Sequence, residues 1–105
     1  MEEPRDSPFQ VETPLGWSVR TSQSYWLLIE TKHPKLIGRS QAVRDVLSHP
    51  TEIYRSRTDA TVYLFYGPDG SRLLCAVVRR LNDDGFLVTA YPCEKPKEGE
   101  RIWPR

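Results

Sequence analysis

Three runs of apolar and β-branched residues in the second half of the chain give its clearest pattern. They span residues 61–66 (TVYLFY), 72–81 (RLLCAVVRRL) and 86–91 (FLVTAY), separated by turn-forming residues at 67–70 (GPDG) and 82–85 (NDDG). Runs of this length, interrupted by glycine, proline and aspartate, predict antiparallel strands joined by hairpins. Residues 51–56 (TEIYRS) read as one more strand, which makes a four-stranded meander.

Two segments with helical spacing of apolar residues precede these strands. The first is capped by Thr21 or Ser22 and runs to about Lys32, since the residue before Pro34 disfavours the α region. The second spans about residues 40–48 and ends at His49-Pro50 for the same reason. The predicted buried residues are Tyr25, Trp26, Leu28 and Ile29 in the first helix, and Ala42, Val43, Val46 and Leu47 in the second.

The order of these elements predicts an α+β fold, with N-terminal helices packed on one face of an antiparallel four-stranded meander sheet. Residues 15–20 (LGWSVR) add a short N-terminal edge strand. We expect residues 1–13 to be a flexible tail, because they are acidic, contain two prolines and lack a period. Residues 14–104 then form a single domain, whose last segment after Pro92 is a tail anchored by Ile102 and Trp103.

The phase of the last hairpin predicts which side chains share a face. A turn at Asp83-Asp84 places Val77 opposite Ala90, and the more apolar face is then expected to carry the helices. That face holds Cys75, Val77, Arg79, Leu81, Phe86, Val88 and Ala90. The opposite face is expected to stay partly open, and it holds Ala76, Val78, Arg80, Leu87, Thr89 and Tyr91.

Composition narrows the function classes. The formal charge of the 105 residues is +1, so no global basic field attracts nucleic acid. Basic residues outnumber acidic ones between residues 17 and 57, which suits either a phosphate-bearing ligand or a solvated face. Cys75 and Cys93 have no metal-ligand spacing, and no apolar leader or membrane span is present. We therefore expect a soluble cytoplasmic protein that needs neither metal nor cofactor and contacts no membrane.

A few polar residues are candidates for chemistry. His33 ends the first helix and can act as a general base, although a surface histidine is also favoured at a helix C-terminus. Arginines hold phosphate bidentately, so the RSR tripeptide 55–57 is either a phosphate site or a solvated strand end. Lys35 and Arg39 are either further phosphate ligands or ordinary turn charges. The hydroxyls of Thr89 and Tyr91 lie on one face of the last strand, where such residues also serve as plain strand formers.

The arrangement of several segments resembles a known nuclease superfamily. These segments are KHP at 32–34, GRSQAVRDVLSHP at 38–50, TEIYRSRTD at 51–59, VYLFY at 62–66, LLCAVVRRLNDDGFLVTAY at 73–91 and KEGERIWP at 97–104. Over residues 17–104 the chain looks like small bacterial proteins grouped with the barnase–EndoU–colicin–RelE-like nucleases, including phage-associated members. The resemblance implies metal-independent RNA cleavage by a toxin-like or phage-linked endonuclease, with RNA and an antitoxin or other protein as partners.

The resemblance also implies roles for individual residues. His33 matches the helix-terminal histidine, Arg55 the basic residue of the strand, and Thr89 and Tyr91 the hydroxyl positions of the last strand. His33 would take the 2′-hydroxyl proton, and Arg55 would neutralise the transition state. The predicted RNA-binding residues are Lys35, Arg39, Ser56, Arg57 and Arg80. The alternative is a non-enzymatic protein-binding module that uses the open sheet face, consistent with the low net charge and with Trp17 and Trp103.

Overall fold

The computed structural model describes residues 9–96 and 99–105, and it combines two α-helices with a seven-stranded mixed sheet. The helices are α1 (Gln23–Lys32) and α2 (Ser40–Ser48), and a 3₁₀ helix (Pro34–Leu36) lies between them. The strands are β1 (Phe9–Glu12), β2 (Ser18–Thr21), β3 (Glu52–Arg55), β4 (Val62–Asp69), β5 (Arg72–Leu81), β6 (Asp84–Cys93) and β7 (Glu100–Trp103). The predicted α+β class is confirmed.

Both helices form where the sequence predicts them, and local chemistry explains their ends. The Ser22 side chain accepts a hydrogen bond from the Tyr25 N–H at 3.1 Å, which caps α1. His33 closes α1 by donating its backbone N–H to Ile29 O at 2.9 Å, and Pro34 follows. Only Trp26 and Ile29 of the predicted α1 stripe are buried, so the stripe is narrower than predicted. In α2, Val43, Val46 and Leu47 are buried as predicted, and Ala42 is half-buried.

The sheet is larger than the predicted four-stranded antiparallel meander. Its strand order is β1-β2-β6-β5-β4-β3-β7, and β2 pairs with β6 in parallel through Val19↔Gly85 and Arg20↔Phe86. The predicted edge strand is thus an inner strand, covered on its far side by β1. Two strands also precede the helices along the chain, so the description of the helices as N-terminal is wrong. The predicted β3–β6 meander is present as the antiparallel middle of the sheet.

The two segments predicted as tails contribute strands. Phe9–Glu12 pairs with β2, and Phe9 is 4% exposed, so the fold begins before the predicted boundary at residue 14. Glu100–Trp103 pairs with β3, and Ile102 and Trp103 pack against the core. Each strand has only four residues, two of them apolar, which hides both strands from a search for long apolar runs. Residues 1–8 of the predicted tail lie outside the described residues.

The helices cover the face of β5 that was predicted to stay open, whereas a β-bulge in β6 leaves Thr89, Ala90 and Tyr91 on their predicted faces. Leu81 pairs with Asp84, so the turn is Asn82-Asp83, and Val77 pairs with Thr89 while Val78 pairs with Leu87. Val88 is the extra residue, which shifts the side-chain alternation of β6 by one position. The helices cover the β5 face that carries Leu74, Ala76 and Val78, together with Leu87 and Ala90 of β6. The open face therefore carries Cys75, Val77 and Arg79 beside Thr89 and Tyr91.

One main core lies between the helices and the covered face of the sheet. Trp17 is 6% exposed and packs edge-on against the rings of Tyr63 (centroids 5.1 Å apart) and Phe65 (6.1 Å). A smaller cluster on the open face contains Tyr66, Cys75 and Cys93, and neither cysteine forms a disulfide. Within the described ranges, no helix has the length and apolar character that crossing a membrane requires.

Candidate functional site

His33 and Tyr91 meet at the edge of the open sheet face. The parallel pairing of β2 with β6 stops at Phe86, so the rest of β6 is free to approach the C-terminal end of α1. The His33 and Tyr91 ring centroids are 6.3 Å apart, with a tilt of 40° between the planes. His33 is half-buried, and its backbone is fixed by the helix end and the following proline. Two of the predicted catalytic residues are therefore brought together.

Tyr91 also forms part of a small cavity on the open face. The cavity holds about 170 Å³, and its other lining residues are Ser56, Arg57, Thr58, Val62, Leu64 and Gly99. Arg57 donates from Nη2 to the Gly99 carbonyl at 3.2 Å, which holds the guanidinium at this site. The cavity is therefore lined by a guanidinium and a phenol, and the phenol ring also lies against His33, which is not part of the lining.

Burial changes the chemistry of the Tyr91 phenol. Desolvation, followed by the neighbouring Cys75, raises the pKa of Tyr91 well above its usual value of 10. The phenol therefore stays protonated at any physiological pH. A neutral phenol of this kind is a hydrogen-bond donor, and the same shift makes it a poorer proton source than an ordinary tyrosine.

The loop after β3 is held by Ser56, one of the predicted RNA-binding residues. Its Oγ accepts the backbone N–H groups of Thr58 and Asp59, both at 3.2 Å, and lies 3.1 Å from Thr58 Oγ1. This hydroxyl is committed to the turn that presents Arg57 to the cavity. Thr58 is a cavity residue that the sequence analysis missed, and its position in a polar loop gave no signal.

Arg55 does not join His33 and Tyr91. It lies on the same side of β3 as the buried Ile53, with its guanidinium 5.4 Å from the centre of the Tyr63 ring. Its Nε donates to the Ala60 carbonyl at 2.9 Å. Arg55 is also three strands away from β6, about 14 Å at the usual strand spacing. The predicted grouping of His33 with Arg55 is therefore not formed.

Thr89 is on the open face, but its hydroxyl is not accessible. Its Oγ1 is shielded from solvent and has no hydrogen-bond partner among the described residues. An unpaired buried hydroxyl costs about 1–3 kcal/mol. As placed, the Thr89 hydroxyl cannot reach a phosphate, so Tyr91 is the member of the predicted pair that lines the cavity.

The other three basic residues that were predicted to bind RNA lie in different environments. Arg39 makes a bidentate pair with Asp69, with distances of 2.6 and 3.1 Å, and the pair raises the pKa of Arg39 and lowers that of Asp69. Its charge is therefore already compensated. Arg80 lies on the helix-covered side, 4.8 Å above the Trp17 ring, which excludes it from the open face. Lys35 is exposed in the 3₁₀ helix, two residues after His33.

Comparisons with known proteins do not add to this geometry. No family model, no curated protein and no solved structure matches the chain. Among the described residues, no group of histidine, cysteine, aspartate or glutamate side chains has the arrangement of a metal site. The candidate site consists of His33, Arg57 and Tyr91, and Ser56 and Thr58 shape the loop.

Proposed function

We propose that the protein is a metal-independent RNA endonuclease that uses His33, Tyr91 and Arg57. The observation that carries the proposal is the contact between the His33 and Tyr91 rings, beside a cavity that Tyr91 shares with Arg57. An imidazole can act as the general base for cleavage through the 2′-hydroxyl, and a neutral hydrogen-bond donor and a guanidinium can stabilise the charge that builds on the phosphate. The likeness of residues 17–104 to barnase–EndoU–colicin–RelE-like nucleases supports the same reaction, with Arg57 in the role first expected of Arg55.

The reaction follows from the chemistry of these groups. Neutral His33 takes the proton of the RNA 2′-hydroxyl, and the 2′-oxygen attacks the adjacent phosphorus. The bond from phosphorus to the 5′-oxygen breaks, which leaves a 2′,3′-cyclic phosphate and a 5′-hydroxyl that gains its proton from water. Arg57 offsets the negative charge that builds on the phosphate oxygens. Tyr91 donates a hydrogen bond to one of these oxygens and keeps its own proton, because its pKa is raised.

The test is RNA cleavage by the purified protein in the presence of EDTA, with analysis of the product ends. We expect 2′,3′-cyclic phosphate ends and a loss of about 10²–10⁴-fold in rate for His33→Ala. His49→Ala is the matched control, since His49 also ends a helix before a proline but borders a different surface. Cleavage that survives in His33→Ala, or that EDTA abolishes, contradicts the proposal.

The two arginines of the RSR tripeptide give a second comparison. Arg57→Gln is expected to lower the rate about 10²–10³-fold, as the loss of one transition-state donor does. Arg55→Gln is expected to keep most of the activity, because Arg55 packs on Tyr63 on the other side of the sheet. If Arg55→Gln is inactive while folded and Arg57→Gln is active, the assignment of the cation is wrong.

The alternative function, a protein-binding module on the open sheet face, has weaker support. Among the residues that the structure describes, most of the exposed large apolar side chains lie on α1 or just after the 3₁₀ helix, and Leu81 is the one on the sheet. They are Tyr25, Leu27, Leu28, Ile37 and Leu81, with exposures of 39%, 50%, 57%, 65% and 47%. Absence of any cleavage, together with a stoichiometric protein complex that Leu28→Lys leaves intact and Leu64→Lys disrupts, would favour the module.

A further inference from the structure

A second and larger cleft opens on the same sheet face, beside the start of α1. It holds about 520 Å³, which is within the usual range of small-molecule sites. Aromatic and apolar side chains, including Tyr25, Leu81 and Phe86, form most of its lining, together with Arg20 and Arg79. This cleft shares no lining residue with the cavity at Tyr91.

Two flat surfaces in this cleft are held in place. Arg20 is the cross-strand partner of Phe86, and its guanidinium lies 4.8 Å from the centre of the Phe86 ring. The Tyr25 hydroxyl donates to the Val88 carbonyl at 2.9 Å, which anchors the ring of Tyr25 against β6 while 39% of the residue stays exposed. Nucleobases stack on aromatic rings and on guanidinium planes, so both surfaces suit a base.

The two arginines of the cleft also offer donors to an anion. Arg20 Nη2 is 3.5 Å from an Asp84 carboxylate oxygen, and Arg79 Nη1 is 3.0 Å from both Asp59 and Thr61 oxygens. A guanidinium carries five N–H donors, so these contacts leave donors on each side chain for a phosphate oxygen. The carboxylates fix the arginines, and neither carboxylate belongs to the cleft lining.

We propose that this cleft binds one nucleotide of the RNA strand. Its base stacks beside Tyr25 and the Arg20–Phe86 pair, and its phosphate is held by Arg20 and Arg79. Tyr25 and His33 are eight residues apart along one helix, about 12 Å at the helical rise, so one strand can reach both sites. The inference rests on the proposed function for its choice of RNA, whereas the nucleotide affinity can be measured without cleavage.

The probes are AMP and UMP, titrated into the protein and followed by amide and aromatic NMR shifts. We expect shifts centred on Tyr25 and Phe86, and weaker binding of adenosine alone and of inorganic phosphate alone. Phe86→Leu and Arg20→Gln should each weaken nucleotide binding by about tenfold. Arg72→Gln is the matched control, since Arg72 is a similarly exposed strand arginine paired with Glu94, outside the cleft.

The outcomes separate this inference from the proposed function. Nucleotide binding that the cleft variants weaken, in a protein without cleavage activity, supports the cleft and contradicts the endonuclease. Cleavage with an unchanged KM in both cleft variants overturns the cleft and leaves the endonuclease standing. Shifts centred on residues away from the cleft, or no shift at millimolar nucleotide, also overturn it. Spectra of each free variant that match the wild type elsewhere establish that the variant is folded.

Discussion

Gly85→Ala is the substitution that tests the packing of the covered face most directly. Gly85 is buried at the junction of β2, β5 and β6. A Cβ atom at this position would lie 2.6 Å from Cζ3 of Trp17 and 3.0 Å from Cγ1 of Val78. The Trp17 ring cannot easily withdraw, because it is 6% exposed and wedged against Tyr63 and Phe65. The added methyl group therefore overpacks the core.

The expected loss in the free energy of unfolding is about 1–2 kcal/mol. Overpacking a core typically costs about 1–3 kcal/mol. Replacing glycine by alanine recovers about 0.4–1 kcal/mol, because the unfolded chain has less freedom to lose. For a domain of this size, the net change lowers the melting temperature by roughly 5–15 °C. Urea unfolding followed by far-UV circular dichroism measures it without relying on tryptophan fluorescence.

A double-mutant cycle assigns the effect to the Trp17 contact. Trp17→Phe removes part of the ring, so Gly85→Ala should cost at least about 1 kcal/mol less in that background than in the wild type. The same variants also test the parallel pairing of β2 with β6, which brings Trp17 over Gly85. If Gly85→Ala is as stable as the wild type, or if the two substitutions are additive, this packing is wrong.

Two further predictions concern ionisable groups. Pairing with Arg39 lowers the pKa of Asp69, so its contribution to stability is present above about pH 4 and is lost as the pH falls through the lowered value. Asp69→Asn should therefore reduce the unfolding free energy by about 1 kcal/mol at pH 7 and by less at pH 2.5 in urea titrations, and an equal loss at both values contradicts the ion pair. Burial raises the pKa of Tyr91, so stability should fall above pH 10, where the unfolded state ionises first. Tyr91→Phe should flatten that fall in urea midpoints between pH 9 and 11.5, and an unchanged slope shows that the phenol is not desolvated.

The sequence predicted the elements with strong local signals. Ser22 has the side chain of a helix cap, and Pro34 and Pro50 end the two helices, so α1 and α2 were predicted almost to the residue. The β4–β5 hairpin has a long apolar run on each side of its turn. β1 and β7 could not be predicted in this way, because each is short and lies in a charged segment that contains prolines, and pairing with a neighbouring strand stabilises it.

The types of residue in the candidate site could be predicted from the sequence, but the contacts between those residues could not. The sequence identified His33 as a candidate general base and Tyr91 as a candidate hydroxyl group. Their contact depends on where β2 stops pairing with β6. Arg55 and Arg57 are both arginines of the same tripeptide, so residue type does not distinguish them. Only the turn held by Ser56 separates the one that stacks on Tyr63 from the one that lines the cavity.

The bulge at Val88 decides which chemistry the open face carries. In a regular strand, Tyr91 and Leu87 would point to the same face, because they are four residues apart. Leu87 lies on the face that the helices cover, so Tyr91 would be covered as well. With the bulge, Tyr91 lies with Cys75 and Val77 on the uncovered face, within reach of His33. No residue type in 84–93 marks this irregularity, since valine suits a regular strand equally well. The site therefore depends on Val88, the one residue of this stretch of β6 without a cross-strand partner. The register of the strands determines its position, and local sequence preference does not.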